Sequence, residues 1–229
     1  MHETVALPGS LQGYLSVPEG PDPRPGVVVL HEALGLTDDI RAIADRFAGE
    51  GFAAVAPDLF SWGSTSRCLV TTFRDLVRRE GEAHRRVDGV GEWLAAQPWC
   101  TGRVGVVGFC MGGGFALLAA TRSPFAASAV NYGLVPHHAD AVLAGACPIV
   151  GSYGGKDRML RGHAGRLERA LAANGVDHDV KEYPGVGHSF MNHHTGWAAR
   201  LDRIGLGHGE AEAEDAWARI LAYFSRYLT

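Results

Sequence analysis

Short apolar runs alternate with amphipathic segments along most of the chain, a pattern that predicts strands alternating with helices. We expect short strands at Thr4–Leu7 and Gln12–Val17, followed by apolar strands at Val27–His31, Phe52–Ala56, Val104–Gly108, Ala127–Tyr132, Pro148–Tyr153 and His178–Tyr183. The predicted helices are Asp38–Gly49, capped by Thr37, and then Ala83–Ala96, Gly113–Ala120, Gly162–Ala173 and Glu210–Tyr227. Such alternation favours an α/β fold with a mostly parallel central sheet and helices on both faces.

Two segments have a less regular pattern. The stretch from Phe60 to Arg79 is the least regular, and we expect it to overhang the functional site and to contribute to specificity. Near the C-terminus, aromatic residues are more numerous, and we expect them to anchor the last helix to the core rather than to line a pocket. These residues are Trp197, Trp217, Phe224 and Tyr227.

Composition limits the class of protein. A chain of 229 residues with 46% hydrophobic and 20% charged residues can form one substantial core, and we see no repeat or linker, so we expect a single domain over residues 1–229. The net charge of -4 gives no electrostatic footprint for nucleic acid or for an anionic membrane. We also see no apolar run of membrane-spanning length and no secretory pattern at the N-terminus, which predicts a cytoplasmic protein.

The four cysteines form no C-x-x-C pair and no pattern typical of secreted proteins, so we expect reduced thiols. One of them, Cys110, lies between an apolar strand and an apolar helix, with Gly108 and Gly112 two positions away on each side. A side chain at either glycine would collide in so sharp a turn. The pattern predicts a nucleophile elbow that carries cysteine in the usual place of serine. The alternatives are an ordinary buried cysteine or a phosphate-binding turn.

An elbow of this kind places the backbone N–H of Met111 and the helix N-terminus beside the sulfur, which favours a thiolate and a developing oxyanion. Downstream, Asp157 and His188 each follow a predicted strand. Nucleophile, acid and histidine in this order are typical of an α/β-hydrolase triad, and parallel strands would bring all three to one edge of the sheet. The alternatives are a turn or N-cap aspartate and a surface histidine.

The chain resembles the dienelactone hydrolase family of the α/β-hydrolase superfamily over nearly its whole length. The matching motifs lie at residues 29–36, 51–60, 105–113, 155–157 and 187–190, and the cysteine elbow is the most specific of them. The resemblance implies that Glu32 lies near Cys110 and assists its deprotonation, and that the backbone N–H of Ala33 joins that of Met111 in an oxyanion hole. A glutamate directly after an apolar run is also costly to bury without a partner or a task, although it could be a solvated loop residue.

These observations predict a hydrolase of small esters or lactones that uses a Cys-His-Asp triad, a thioester acyl-enzyme and no cofactor. The alternatives are a broader carboxylesterase or thioesterase, or a hydrolase-fold protein that binds a small ligand without turnover. The paired histidines His137-His138 and His193-His194 lack acidic or cysteine partners at metal-binding spacing, so we expect no metal. We expect a small-molecule substrate as the only partner of a monomer or small homo-oligomer.

Substrate preference is the point at which the resemblance weakens. Members that cleave dienelactone hold its carboxylate with arginines, one of them four residues after the catalytic histidine, and this chain has Asn192 there. Because a neutral amide offers no charge-assisted fork, we expect weaker preference for anionic lactones or a relocated cation. The candidates for a relocated cation are Arg67, Arg74, Arg78, Arg79, Arg85 and Arg86.

Overall fold

A mixed sheet forms the centre of the computed structural model, which describes residues 1–122, 124–194 and 209–229. Its strands, in chain order, are β1 (His2–Leu7), β2 (Leu11–Ser16), β3 (Arg24–Leu30), β4 (Ala53–Asp58), β5 (Cys100–Phe109), β6 (Phe125–Asn131), β7 (Ile149–Gly154) and β8 (His178–Tyr183). They lie side by side in the order β1-β2-β4-β3-β5-β6-β7-β8. Strand β2 pairs antiparallel with β1 and β4, and all other neighbours are parallel. The predicted mostly parallel α/β-hydrolase sheet is confirmed.

The helices are α1 (Asp38–Gly49), α2 (Thr65–Arg78), α3 (Glu82–Ala95), α4 (Met111–Ala119), α5 (Ala139–Val142), α6 (His163–Ala173) and α7 (Glu210–Leu228). A short 3-10 turn, Pro8–Ser10, joins β1 to β2. The predicted cap of α1 is confirmed, because the Thr37 hydroxyl accepts a hydrogen bond from the Ile40 N–H at 3.4 Å.

Helix α2 differs from the sequence interpretation, which left this stretch irregular. It buries Cys68, Thr72 and Leu76 on one face, at the spacing of an amphipathic helix. Val70, Phe73 and Val77 are exposed beside this face, and the exposed Arg67, Arg74 and Arg78 form the polar face of the helix. The helical periodicity is therefore present in the sequence, and the sequence interpretation missed it.

Helices cover both faces of the sheet. A Cβ added to Gly26 would meet Leu94 of α3 and Val104, the residue of β5 that pairs with Gly26. A Cβ added to Gly105, the next residue of β5, would meet Phe224 of α7. Since successive side chains of a strand point to opposite faces, α3 and α7 lie on opposite sides of β5. Helix α1 lies with α7, because Phe47 packs against the rings of Trp217 and Phe224. Trp217 and Phe224 therefore anchor the last helix as predicted, while Trp197 lies outside the described residues.

The strand order reverses around β3. From β3 the chain passes to β4 on one side of β3 and then to β5 on its other side. In open α/β sheets, the carboxyl edge at such a reversal is where ligands bind. Leu30 at the end of β3 pairs with Gly108 near the end of β5, so the residues that follow both strands meet at this edge. Within the described ranges, no helix is long and apolar enough to span a membrane.

Candidate active site

Cys110 occupies a strained turn between β5 and α4. Its φ of 53° and ψ of -112° lie in a region that non-glycine residues rarely adopt. A Cβ at Gly108 would come within 2.0 Å of the Gly112 carbonyl oxygen, and one at Gly112 within 2.2 Å of the Leu30 oxygen. Both glycines are therefore needed for helix α4 to start so close to the sheet. The cysteine is half-buried at the apex of the turn.

Asp157 and His188 form a buried pair. Asp157 follows β7, His188 follows β8, and the His188 Nδ1 lies 2.6 Å from the Asp157 Oδ2. The other oxygen, Oδ1, accepts the backbone N–H groups of Met159 and Leu160 at 2.9 and 3.3 Å. Burial alone would raise the pKa of Asp157, but these hydrogen bonds, led by that of His188, lower it below its usual value. The aspartate is thus a charged, fixed acceptor for the imidazole.

The second ring nitrogen of His188, Nε2, differs from Nδ1 in its hydrogen bonding. Nε2 is buried and makes no hydrogen bond of normal geometry to any residue of the described ranges. Burial would lower the pKa of His188, but the Asp157 hydrogen bond and the neighbouring Cys110 sulfur raise it to about 10. The imidazole is therefore protonated near neutral pH.

Two backbone amides flank this region without acceptors of their own. The N–H groups of Ala33 and Met111 donate to no group within the part of the chain that the structure describes. Met111 is the first residue of α4, so its N–H is one of the helix's unpaired amides. Ala33 lies exposed in the turn after β3. These are the two amides for which the elbow and the family resemblance predict an oxyanion-hole role.

Glu32 is buried rather than solvated. Its Oε1 lies 3.0 Å from the His194 Nε2, and its Oε2 accepts a hydrogen bond from the Ser189 hydroxyl at 3.4 Å. Both oxygens of the carboxylate are thus held by the segment that follows His188. The sequence motifs indicated a partner for Glu32 only in Cys110, and they missed Ser189 and His194.

Asn192 lies in the interior and not on a pocket surface. Its amide oxygen accepts the Tyr132 hydroxyl proton, and its Nδ2 donates to the Asp39 carboxylate at 2.7 Å. The second Asp39 oxygen accepts the His193 N–H at 3.0 Å. Burial, followed by the charges of Glu32, Asp39 and Cys110, raises the pKa of Tyr132 well above its usual value, so the phenol remains a neutral donor. Asn192 therefore joins three segments of the chain through hydrogen bonds at both its amide oxygen and its amide nitrogen.

Several of the candidate arginines already have partners of their own. Arg74 pairs with Asp75, Arg85 pairs with Glu82, and Arg67 and Arg86 both lie over the Trp62 ring. Arg79 lines a separate cavity of about 310 Å³, whose other walls include leucines but none of the candidate site residues.

Tyr132 is a site residue that the sequence interpretation missed. It has a positive φ of 40°, and its ring packs edge-on against His188 with the ring centroids 5.2 Å apart. In the sequence it ends a predicted strand, and nothing in that pattern signals the strained backbone.

The described residues contain no group of three or more histidine, cysteine or acidic side chains that could hold a metal ion.

Known proteins share this arrangement of the chain. The sequence model of the dienelactone hydrolase family matches residues 11–228. A protein of Azospirillum brasilense named "Putative carboxymethylenebutenolidase" is 30% identical over 241 residues, covering 96% of this chain and 95% of that protein. Protein usf of Aquifex pyrophilus is 31% identical over 232 residues, covering 96% and 94% of the two chains.

Solved structures agree. A crystal structure described as a "Putative Dienelactone Hydrolase", from Klebsiella pneumoniae, is 26% identical, covers 99% of both chains and has a TM-score of 0.81. The family model spans nearly the whole sequence, which confirms the resemblance that the motifs predicted. The chain therefore belongs to the dienelactone hydrolase family and is a hydrolase acting on esters or lactones.

Proposed function

We propose that this hydrolase cleaves small activated esters or lactones by covalent catalysis, with Cys110 as nucleophile, His188 as acid and base, and Asp157 as the group that orients His188. The observation that carries the proposal is the buried 2.6 Å contact between His188 and Asp157, combined with a strained cysteine turn at the same sheet edge. A thiol, an imidazole and a carboxylate in this order supply nucleophilic attack, proton transfer and tautomer control.

The first half of the reaction forms a thioester. The Cys110 thiolate attacks the acyl carbon, and the tetrahedral oxyanion accepts hydrogen bonds from the backbone N–H groups of Met111 and Ala33. The bond between the acyl carbon and the leaving oxygen then breaks, and His188 donates its Nε2 proton to that oxygen. In a lactone, the leaving alcohol or enol stays attached to the acyl group.

The second half restores the enzyme. His188 removes a proton from water through Nε2, the resulting hydroxide attacks the thioester carbon, and the same two amides hold the second oxyanion. The C–S bond breaks, the carboxylic acid leaves, and Cys110 returns to the thiolate paired with protonated His188. Asp157 stays ionised throughout, since its carboxylate is held by three donors.

Glu32 has a secondary role in this proposal. Its two oxygens each have one partner, in His194 and Ser189, so assistance in deprotonating Cys110 would use a remaining lone pair of the carboxylate. The raised pKa of His188, by contrast, already favours an ion pair with the sulfur. We therefore give the main deprotonation step to His188.

The thiol nucleophile also restricts the substrate. A thioester forms more easily from an activated acyl group, such as an enol lactone, an aryl ester or another thioester, than from an amide. Turnover of these three substrate types, compared side by side, separates a lactonase from a broader carboxylesterase or thioesterase. No turnover or burst with any of them would support a protein that binds a ligand without catalysis.

The nucleophile is tested by comparing Cys110→Ala with Cys147→Ala. Both cysteines are half-buried, but burial raises the pKa of Cys147 to about 12. Little of Cys147 is therefore present as the reactive thiolate at neutral pH. We expect iodoacetamide to modify Cys110 first and Cys110→Ala to abolish ester turnover while retaining the fold. Cys147→Ala should keep turnover near the wild-type rate. Normal activity in Cys110→Ala would disprove the mechanism.

A further inference from the structure

His31 is a fully buried histidine that joins the ends of two neighbouring strands. It follows β3 directly, and its Nε2 accepts the backbone N–H of Leu59, just after β4, at 3.0 Å. Its Nδ1 lies 2.6 Å from the carbonyl oxygen of Glu32. The Phe60 ring packs edge-on against the imidazole, with centroids 4.8 Å apart. The ring is thus held from three directions at the edge of the candidate site.

These partners determine the tautomer of His31. The Leu59 N–H can only donate, so Nε2 must carry the lone pair. The Glu32 carbonyl can only accept, so Nδ1 must carry the proton. A second proton on the ring would break the Leu59 bond, and burial opposes that charge. His31 is therefore a neutral donor with one fixed direction.

The carbonyl that His31 holds belongs to the peptide bond that also contains the Ala33 N–H. In a trans peptide the C=O and the N–H point in opposite directions within one plane, so fixing the oxygen also fixes the hydrogen. We propose that His31 is a positioning residue, which aims the Ala33 amide at the oxyanion by holding the Glu32 carbonyl. This inference rests on the proposed function, because it requires the Ala33 amide to stabilise the oxyanion.

A second bond reaches the same carbonyl, since the Gly35 N–H donates to the Glu32 oxygen at 3.1 Å within the turn. That bond is local, and it turns with the loop when the loop tilts. The His31 bond is different because its donor belongs to the residue that directly follows β3, a central strand, and is fully buried there. It therefore fixes the peptide relative to the sheet, and with it the distance from the Ala33 amide to the elbow on β5.

Two substitutions separate the two hydrogen bonds. In His31→Asn, the side-chain Nδ2 is as many bonds from Cα as the histidine Nδ1, so it keeps the donor to Glu32 and loses the acceptor for Leu59. In His31→Gln, Oε1 takes the place of Nε2, so the acceptor is kept and the donor is lost. Both variants replace the buried ring with a smaller amide, and His31→Asn removes more atoms than His31→Gln, so a packing defect alone would harm His31→Asn more.

We expect His31→Gln to lower kcat by about 10- to 100-fold with KM changed by less than about threefold, because a misdirected oxyanion donor acts on the transition state. His31→Asn should keep kcat within about fivefold of the wild type. Equal losses in the two variants, no loss in either, or a larger loss in His31→Asn would overturn the proposal. His84→Gln, at another buried histidine that contacts a backbone carbonyl, should leave kcat unchanged.

Alkylation separates this inference from the proposed function. Iodoacetamide attacks the thiolate without forming an oxyanion, so its rate at Cys110 should be the same in the wild type and His31→Gln. If alkylating Cys110 leaves ester turnover intact in the wild type, the proposed function fails. If alkylation slows in His31→Gln in step with kcat, the effect lies in the thiol and the positioning role is wrong.

The wild-type enzyme provides an independent measurement if neither variant folds. Nitrogen-15 NMR of the His31 ring at neutral pH should show the Nδ1–H tautomer. An Nε2–H tautomer, or an imidazolium at neutral pH, would overturn the proposal.

Discussion

At the scale of single residues, the site depends on buried groups that set one another's charge. Asp157 is held ionised by three donors, and His188 beside it is held protonated to a pKa of about 10. For a pKa raised above its ordinary value of 6.5, the stabilising contribution to folding is complete below about pH 6.5. It is lost as the pH rises through about 10. His188 is therefore charged at neutral pH, where its contribution to folding stability is largely retained.

Replacing Asp157 with asparagine should lower the pKa of His188 from about 10 towards 6.5, because the hydrogen bond that His188 donates to Asp157 is the main interaction that raises it. We expect kcat to fall by about 10³-fold or more, since the members of a triad act as a unit. NMR titration of the His188 ring and steady-state kinetics measure the two effects. The difference in unfolding free energy between wild type and variant should also shrink between pH 6.5 and 10.

The Cys110→Ala variant provides the control for the titration, because the sulfur also raises the pKa of His188. In that variant the pKa should fall while the contact with Asp157 persists. A wild-type His188 that titrates near its ordinary value, or a loss in Asp157→Asn below about tenfold, would contradict the assignment of the pair.

At the scale of elements, the site depends on the close approach of α4 to β3 and β5. Gly112 lies where a Cβ would come within 2.2 Å of the Leu30 oxygen and 2.7 Å of the His31 oxygen. Backbone atoms of a central strand cannot move aside without disturbing the whole sheet. The same contact lies next to the turn that carries Glu32 and Ala33, so a displaced helix start would press on that turn.

Gly112→Ala should therefore lower the free energy of unfolding by about 2–3 kcal/mol or more, as over-packing in a dense core does, and reduce turnover in the fraction that folds. Urea denaturation and ester kinetics measure both. Gly49→Ala is the matched control, because Gly49 has no atom within 4 Å of an added Cβ and lies in helix α1. It should be neutral or stabilising by up to about 1 kcal/mol. Equal stability of the two variants would contradict the packing argument.

At the scale of the whole molecule, Asn192 joins parts of the chain that are far apart in sequence. It follows the His188 loop, accepts from Tyr132 after β6 and donates to Asp39 at the start of α1. Burial raises the pKa of Asp39, while the hydrogen bonds from Asn192 and His193 lower it. The loop that carries His188 is thus tied to the end of β6 and to α1 through one buried amide.

Asn192→Leu should lower the free energy of unfolding by about 2–4 kcal/mol, because it leaves the Tyr132 hydroxyl and the Asp39 carboxylate buried without their partner. Asn174→Leu, at the half-exposed end of α6, should cost less. Because Asn192 offers no charge to a ligand, we expect kcat/KM for a carboxylate-bearing dienelactone and for its methyl ester to agree within about tenfold. A strong preference for the acid would show that a cation elsewhere binds the carboxylate.

Patterns in the sequence were enough to predict the strands, most of the helices and the glycine-flanked turn at Cys110. These features depend on neighbours within a few positions, because hydrophobic periodicity and a glycine-flanked turn are local properties. The order of Cys110, Asp157 and His188, each after a strand, predicts that they lie at one edge of the sheet, since parallel strands share a carboxyl edge. Helix α2 was the exception, because its amphipathic pattern, with Arg67, Arg74 and Arg78 on the polar face, was missed in the sequence.

The partners of the buried polar groups could not be predicted from the sequence and are visible only in the folded structure. Glu32 meets Ser189 and His194 from 157 and 162 positions away, and Asn192 is buried against Tyr132 and Asp39 instead of facing a ligand. A sequence pattern shows which residues follow a strand, but not which way each side chain turns or which distant group satisfies it. Those choices follow from packing and from the cost of leaving a buried polar atom unpaired, and both act only once the chain is folded.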